Sequence, residues 1–157
     1  MNFSQDWFSQ NIPNFENIRA ILSGNENFLE VGSFEGRSTC WILENMLSDT
    51  GTIWCIDTFK GGVEHSDLNL TKLRDTFEEN VAASRKTGQT VYVKEKDSSL
   101  ALAELMAEGH LFDFIYVDGS HVASEVLTDA CLCFNMLKSG GVILFDDYDG
   151  GAGVKHA

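Results

Sequence analysis

Five short apolar runs punctuate this chain: Phe28–Val31, Thr52–Ile56, Thr90–Val93, Phe112–Val117 and Val142–Phe145. Each is four to six residues long, too short for a helix of ordinary length, and reads as a buried strand. Between them apolar positions recur every three or four residues, the spacing of one helix face. These segments predict helices over Gly36–Leu47, Leu68–Ser84, Ser99–Glu108 and Ser120–Leu137. In the second of them Leu70, Leu73, Phe77 and Val81 share a face, and Ser98 or Ser99 can cap the third. The Gly140-Gly141 pair marks a turn before the last strand. Ahead of the alternation lie two shorter patterns, Phe3–Gln10 and Asn14–Leu22, separated by Pro13. Phe15, Ile18, Ile21 and Leu22 make the second amphipathic, and Ser23-Gly24-Asn25 ends it.

Strand–helix alternation with continuous apolar strands predicts an α/β protein, a Rossmann-like doubly wound parallel sheet covered on both faces. Residues 1–24 form an N-terminal helical segment and residues 25–157 the main domain. Right-handed crossovers bring every strand's C-terminal end to one edge, where ligands bind. Glu30, Asp57, Asp118, Asp146 and Asp147 all fall at such strand ends. Unpaired carboxylates are rarely buried, so a place at that edge is expected for all five, and a place in the core is not.

Composition narrows the partners. At 157 residues the chain is one domain by length, and 43% hydrophobic with 22% charged residues is ordinary for a globular protein. The formal net charge of −13 opposes binding to DNA or RNA, while a small, cationic cofactor is compatible with it. No apolar run approaches the roughly 18 residues of a membrane span. Cys40, Cys55, Cys131 and Cys133 contain no C-x-x-C pair, and the chain opens without a charged-then-apolar leader. They read as core thiols of a reducing, cytoplasmic setting.

The chemistry concentrates after the first strand. Glu30-Val31-Gly32-Ser33-Phe34-Glu35-Gly36 spells E-x-G-x-x-x-G. A dinucleotide site wants G-x-G-x-x-G, but counting from Gly32 the second and third glycines are replaced by Phe34 and Arg37. A pyrophosphate could not approach the backbone at Phe34, which disfavours NAD and FAD and leaves a turn suited to a ligand without pyrophosphate.

Together with Ile56-Asp57-Thr58-Phe59, Lys96-Asp97-Ser98, the run from Phe112 through Asp118-Gly119-Ser120-His121, and Gly140-Gly141 through Asp146-Asp147-Tyr148, this turn resembles the class I S-adenosylmethionine-dependent methyltransferases. Within that class it looks like the methyltransferase domain 24 family, and it is similar to the metal-dependent sugar O-methyltransferases of macrolide and aminocoumarin biosynthesis. The resemblance covers about residues 25–157. It implies a cofactor-binding set of Glu30, Gly32, Ser33, Gly36, Ser38, Asp57, Thr58, Asp97, Ser98 and Asp118. In that set Gly32 and Gly36 shape the turn around the cofactor's amino-acid part. Glu30 orients the turn and the ammonium, Asp57 takes the two ribose hydroxyls, and Asp97 with Ser98 meets adenine. Asp97 reads equally as a helix N-cap.

Asp118, Asp146 and Asp147 end neighbouring strands about 4.8 Å apart. Three converging carboxylates repel unless a cation sits between them, and hard oxygen ligands suit Mg²⁺, or Mn²⁺ or Ca²⁺. The resemblance assigns the three acids to such a metal, and His121 beside Asp118 to the catalytic base, an imidazole being able to take a hydroxyl proton near neutrality. His121 reads otherwise as a capping or cofactor-touching residue. His65 lies in a loop that could close over substrate but reads chiefly as an exposed histidine; Phe59 and Tyr148 flank the same edge.

The family's sheet has seven strands, and strands six and seven are not found here. An open fifth strand leaves room for a homo-oligomer. The expected function is S-adenosylmethionine-dependent O-methylation of a small hydroxylated molecule such as a sugar, with Mg²⁺ assisting. The alternatives are a catalytically silent cofactor-binding or interaction module, and a metal-using hydroxylase or hydrolase on the same scaffold.

Overall fold

The computed structural model describes residues 1–62, 65 and 67–146. Five parallel strands form one sheet: β1 Asn27–Val31, β2 Thr52–Asp57, β3 Thr90–Glu95, β4 Phe112–Val117 and β5 Leu137–Phe145, in the order β3-β2-β1-β4-β5. Five α-helices accompany them: α1 Ile12–Ile21, α2 Arg37–Asn45, α3 Leu73–Ser84, α4 Ser98–Ala107 and α5 Ala123–Asn135. From β1 the chain winds outward through β2 and β3, then returns to the other side of β1 for β4 and β5. The reversal between β1 and β4 creates the crevice that open α/β sheets use for ligands.

Apolar strands buried on both faces explain why the sheet is parallel; every residue of β4 is buried. Alternating side chains feed two cores. Phe28, Ile53, Phe114 and Tyr116 pack with α1, α2 and α3 on one face. Leu29, Ile56, Ile115 and Val117 pack with α4 and α5 on the other. Phe15 of α1 is fully buried, with its ring edge-on to Phe114 at 5.6 Å and to Tyr116 at 4.9 Å. The N-terminal segment thus shares the sheet's core.

Three expectations shift. The helix predicted from Leu68 begins at Leu73, because the Asn69 carboxamide oxygen accepts from the Thr71 backbone and hydroxyl and holds a turn instead. The helix predicted from Ser120 begins at Ala123, after the Ser120 hydroxyl takes the Val122 N–H. The last strand begins before its glycines: Phe112 pairs with Leu137 and Phe114 with Val142, so Gly140 (φ +81°) sits inside an irregularity of β5 rather than in a turn before it. Among the described residues, no helix is long and apolar enough to cross a membrane.

Candidate active site

Three strand ends are laced together at the crevice. The Gly32 N–H donates to Ile56 O at 2.8 Å, and the Asp118 N–H donates to Val31 O at 2.8 Å. Gly32 (φ +86°) lies so close to β4 that a Cβ there would stand 1.9 Å from the Asp118 carbonyl oxygen. Only glycine fits, for space as well as for backbone angle. A tight turn follows, closed by Gly36 N to Ser33 O at 2.7 Å, and Gly36 (φ +80°) starts α2. Phe34 within it also adopts a left-handed angle, φ +47°.

Glu30 corrects an expectation: it is a core residue. It is 0% exposed, one position short of the end of β1, beside Cys55 and Tyr116 on the flanking strands. Its carboxylate accepts from the Ser33 hydroxyl at 2.7 Å, from Ser38 at 2.6 Å, and from Thr39. Burial pushes its acidity toward higher pH and the three hydroxyls oppose that. Glu30 can stand in the core, where unpaired carboxylates are rare, because it carries its own hydroxyl donors. Ser33 and Ser38 are buried with it, their hydroxyls pointed inward at Glu30.

Asp57, at the end of β2, clamps the turn. Its Oδ2 accepts the backbone N–H groups of Ser33 and Phe34, both at 2.8 Å, and its Oδ1 accepts the Phe59 N–H at 2.7 Å. An ionised carboxylate has about four acceptor positions, so three backbone amides leave about one for a ligand hydroxyl. Thr58 takes the Lys60 N–H on its hydroxyl at 3.3 Å. Phe59 is packing: it is buried against Phe77, with the Arg74 guanidinium 4.9 Å over its ring. Asp97 caps α4, its Oδ1 accepting from the Ser99 N–H at 3.0 Å and the Ser99 hydroxyl at 2.6 Å. Ser98 opens the same helix.

Over the turn lies an aromatic cover. The His65 ring stacks on Phe34 with centroids 5.0 Å apart, and Trp7 meets Phe34 at 5.2 Å and His65 at 5.3 Å. His65 is half-buried, and its Nδ1 accepts from the Gly62 N–H at 2.8 Å.

At the ends of β4 and β5 the structure brings Asp118 and Asp146 together. The Tyr116 hydroxyl lies 3.1 Å from Asp118 Oδ2 and 2.7 Å from Asp146 Oδ2. The Asn11 side-chain amide reaches both oxygens of Asp146, at 3.0 and 2.9 Å. Burial, and then the two acids, hold the Tyr116 phenol far above its ordinary acidity range, so it stays a neutral donor. Exposed His121 precedes α5 and lines a small depression with Asp118, Gly119, Ser120, Phe145 and Asp146. Asp147 and Tyr148 lie outside the described residues. Among the described residues, no three His, Cys, Asp or Glu side chains are grouped to hold a metal.

Three residues escaped the sequence reading. Tyr116 is the one hydroxyl in an otherwise apolar-looking strand end, a visible signal. Asn11 carries none, since its partner lies 135 positions away. Asp129 sits on the inner face of α5 with Val126 and Cys133, 1% exposed, its Oδ1 without a hydrogen-bond partner. Burial pushes its carboxyl up to about 6; the Ser98 hydroxyl opposes this and the Asp97 and Glu125 charges add to it. An acid at helical spacing among core positions was the signal. The cysteines need one correction: Cys40, Cys55 and Cys133 are buried thiols, but Cys131 is exposed. Residues two apart on a helix face different sides.

A strand order of 3-2-1-4-5, a glycine-bearing turn after β1, an acid ending β2 and acids following β4 and β5 define a class I S-adenosylmethionine-dependent methyltransferase fold. A family model described as a methyltransferase domain matches residues 29–148, and the chain belongs to that family. No curated protein sequence matches it. Among solved structures it is similar to the O-methyltransferase TomG from Streptomyces achromogenes, involved in tomaymycin synthesis and solved with S-adenosylmethionine. That likeness has 16% identity and a TM-score of 0.68, over 96% of this chain and 66% of TomG. The TDP-rhamnose 3′-O-methyltransferase CalS11 of calicheamicin biosynthesis matches with 15% identity and a TM-score of 0.61, over 94% of this chain and 69% of CalS11. The mycinamycin-pathway methyltransferase MycE, solved with Mg, S-adenosylhomocysteine and mycinamycin VI, matches with 16% identity and a TM-score of 0.58, over 91% of this chain and 33% of MycE. At such identities the likeness is one of fold.

Proposed function

We propose that this protein transfers a methyl group from S-adenosylmethionine to a hydroxyl of a small molecule, a sugar being the leading case. The observation that carries this reading is the depression at the strand ends, where His121, Asp118 and Asp146 gather beside the turn that Gly32 holds against β4. The family membership and TomG's bound S-adenosylmethionine support it.

S-adenosylmethionine supplies the electrophilic methyl group; the chain supplies position and a base. Gly32 and Gly36 shape the turn for the cofactor's amino-acid end, with Glu30, Ser33 and Ser38 fixing that shape from beneath. Asp57 offers its remaining acceptor position, with Thr58, to a ribose hydroxyl. Asp97 and Ser98, at the start of α4, lie along the adenine side. His121 accepts the acceptor's hydroxyl proton on a ring nitrogen and, being exposed, passes it to solvent.

The described donor set does not by itself fit a divalent cation: Asp118 and Asp146 meet at the Tyr116 hydroxyl, the Asn11 amide lies on both Asp146 oxygens, and among the described residues no third acid or imidazole joins them. A Mg²⁺ held there with further ligands would supply Lewis acidity toward the oxygen to be methylated. The formal net charge of −13 sets the protein against nucleic acid, and its four free thiols fit a reducing, cytoplasmic setting.

The test is transfer of radiolabelled methyl from S-adenosylmethionine to a panel of nucleotide sugars and glycosides, with and without Mg²⁺. Label in a product from wild type, lost in His121→Ala, is the expected result. Cofactor binding with no labelled product from any acceptor would favour the silent module instead.

A further inference from the structure

We propose that Asp129 is a positioning residue for the cofactor's base: acting through the Ser98 hydroxyl, it makes the start of α4 select a purine that carries an exocyclic amine. This rests on the S-adenosylmethionine reading above. Asp129 is 1% exposed on the inner face of α5, and among the described residues its Oδ1 has no hydrogen-bond partner. A buried acid with an unmatched oxygen costs stability, so packing alone does not account for it. Its surroundings do. A Cβ on Gly119 would lie 3.9 Å from its Oδ2, and the Ser98 hydroxyl is the donor that favours its charged form. The acid therefore stands behind the wall that joins the turn after β4 to the first residue of α4.

A serine hydroxyl has one proton and two lone pairs. Committed as a donor to Asp129, Ser98 has only lone pairs left for a ligand. Its neighbour Asp97 is an acceptor too: its Oδ1 is taken by the Ser99 N–H at 3.0 Å and the Ser99 hydroxyl at 2.6 Å, which leaves the lone pairs of Oδ2. Ser98 is half-buried and Asp97 exposed, so both have surface for a ligand to touch. Two neighbouring acceptors match the two N–H groups of an exocyclic amine. They reject the carbonyl oxygen of a 6-oxo purine, which would meet lone pairs with lone pairs. In this arrangement the buried acid touches no ligand; it fixes which way a hydroxyl that does is turned.

The experiment is calorimetric titration, at about pH 8 where a carboxyl at about 6 is ionised, of wild type, Asp129→Asn, Ser98→Ala and the double variant. Each is titrated with S-adenosylhomocysteine and with S-inosylhomocysteine, its 6-oxo counterpart. Wild type should prefer the amine-bearing ligand. That preference should fall about three- to tenfold in either single variant, the worth of one hydrogen bond. It should fall no further in the double variant, because both residues act through one hydroxyl. A folded Asp129→Asn that keeps the wild-type preference, or that loses affinity for both ligands alike as a merely structural residue would, overturns the proposal and leaves the cofactor reading intact. Ser98→Ala with the wild-type preference does the same, and decides the matter where Asp129→Asn folds poorly. Folded wild type that binds neither ligand overturns the cofactor reading, and the proposal with it.

Discussion

The backbone N–H of Ser33 donates to Oδ2 of Asp57 at 2.8 Å, tying the turn after β1 to the end of β2 across 24 positions of sequence. Phe34 adds a second bond to the same oxygen, and Phe59 a bond to the other. The carboxylate that the family pattern gives to the cofactor's ribose therefore also builds the turn on which the cofactor would lie.

That double duty has a measurable cost. Replacing Asp57 with alanine strands three backbone N–H groups, and a hydrogen bond to a charged group is worth about 1.5–3 kcal/mol. Asp57→Ala is expected to lower stability by about 2–3 kcal/mol in denaturant unfolding, and Asp57→Asn, which keeps one carbonyl acceptor, by less. Wild-type stability in both would show that the clamp is not formed.

Glu30 offers a second test. Asp, Glu and hydroxyl groups inside a core are tolerated only when each finds a partner. Glu30→Ala removes the acceptor for Ser33, Ser38 and Thr39 and leaves a cavity. A loss of about 3–5 kcal/mol is expected, and Tm should fall by about 2–4 °C per kcal/mol for a chain of this size. Glu30→Gln, which keeps the shape and one oxygen, should lose about half as much. A melting temperature unchanged in Glu30→Ala would contradict the buried network.

Asp129 gives a pH dependence of definite sign. Its folded carboxyl is raised from 3.8 to about 6, so between those values the folded state holds a proton that the unfolded state has released. Its contribution to stability is thus complete below pH 3.8 and falls as pH rises through 6. Asp129→Asn removes that loss. At pH 8 the variant should be more stable than wild type by about 1–3 kcal/mol, and the difference should vanish near pH 3. A difference independent of pH would contradict the assignment.

The sheet was legible because continuous apolar runs such as Phe112–Val117 have few alternatives to a buried parallel strand. The helix starts were less so: Asn69 and Ser120 each divert the backbone with a local side-chain bond that apolar periodicity does not record. The places of Gly32, Asp57, Asp118 and Asp146 at the strand ends were readable in the sequence. What they touch was not. Glu30 read as an edge acid because its hydroxyl partners look like turn residues, and Asn11 meets Asp146 only through the tertiary fold. Asp97 kept two readings in sequence, and its bonds to Ser99 show the capping one in place.

The central claim is that S-adenosylmethionine binds at the turn held by Asp57, and calorimetric titration with S-adenosylhomocysteine tests it most directly. Wild type should bind with micromolar affinity. Asp57→Asn, measured where circular dichroism shows it folded, should bind at least about tenfold more weakly, as loss of a charged acceptor predicts. No binding by folded wild type, or equal binding by the variant, would contradict the account.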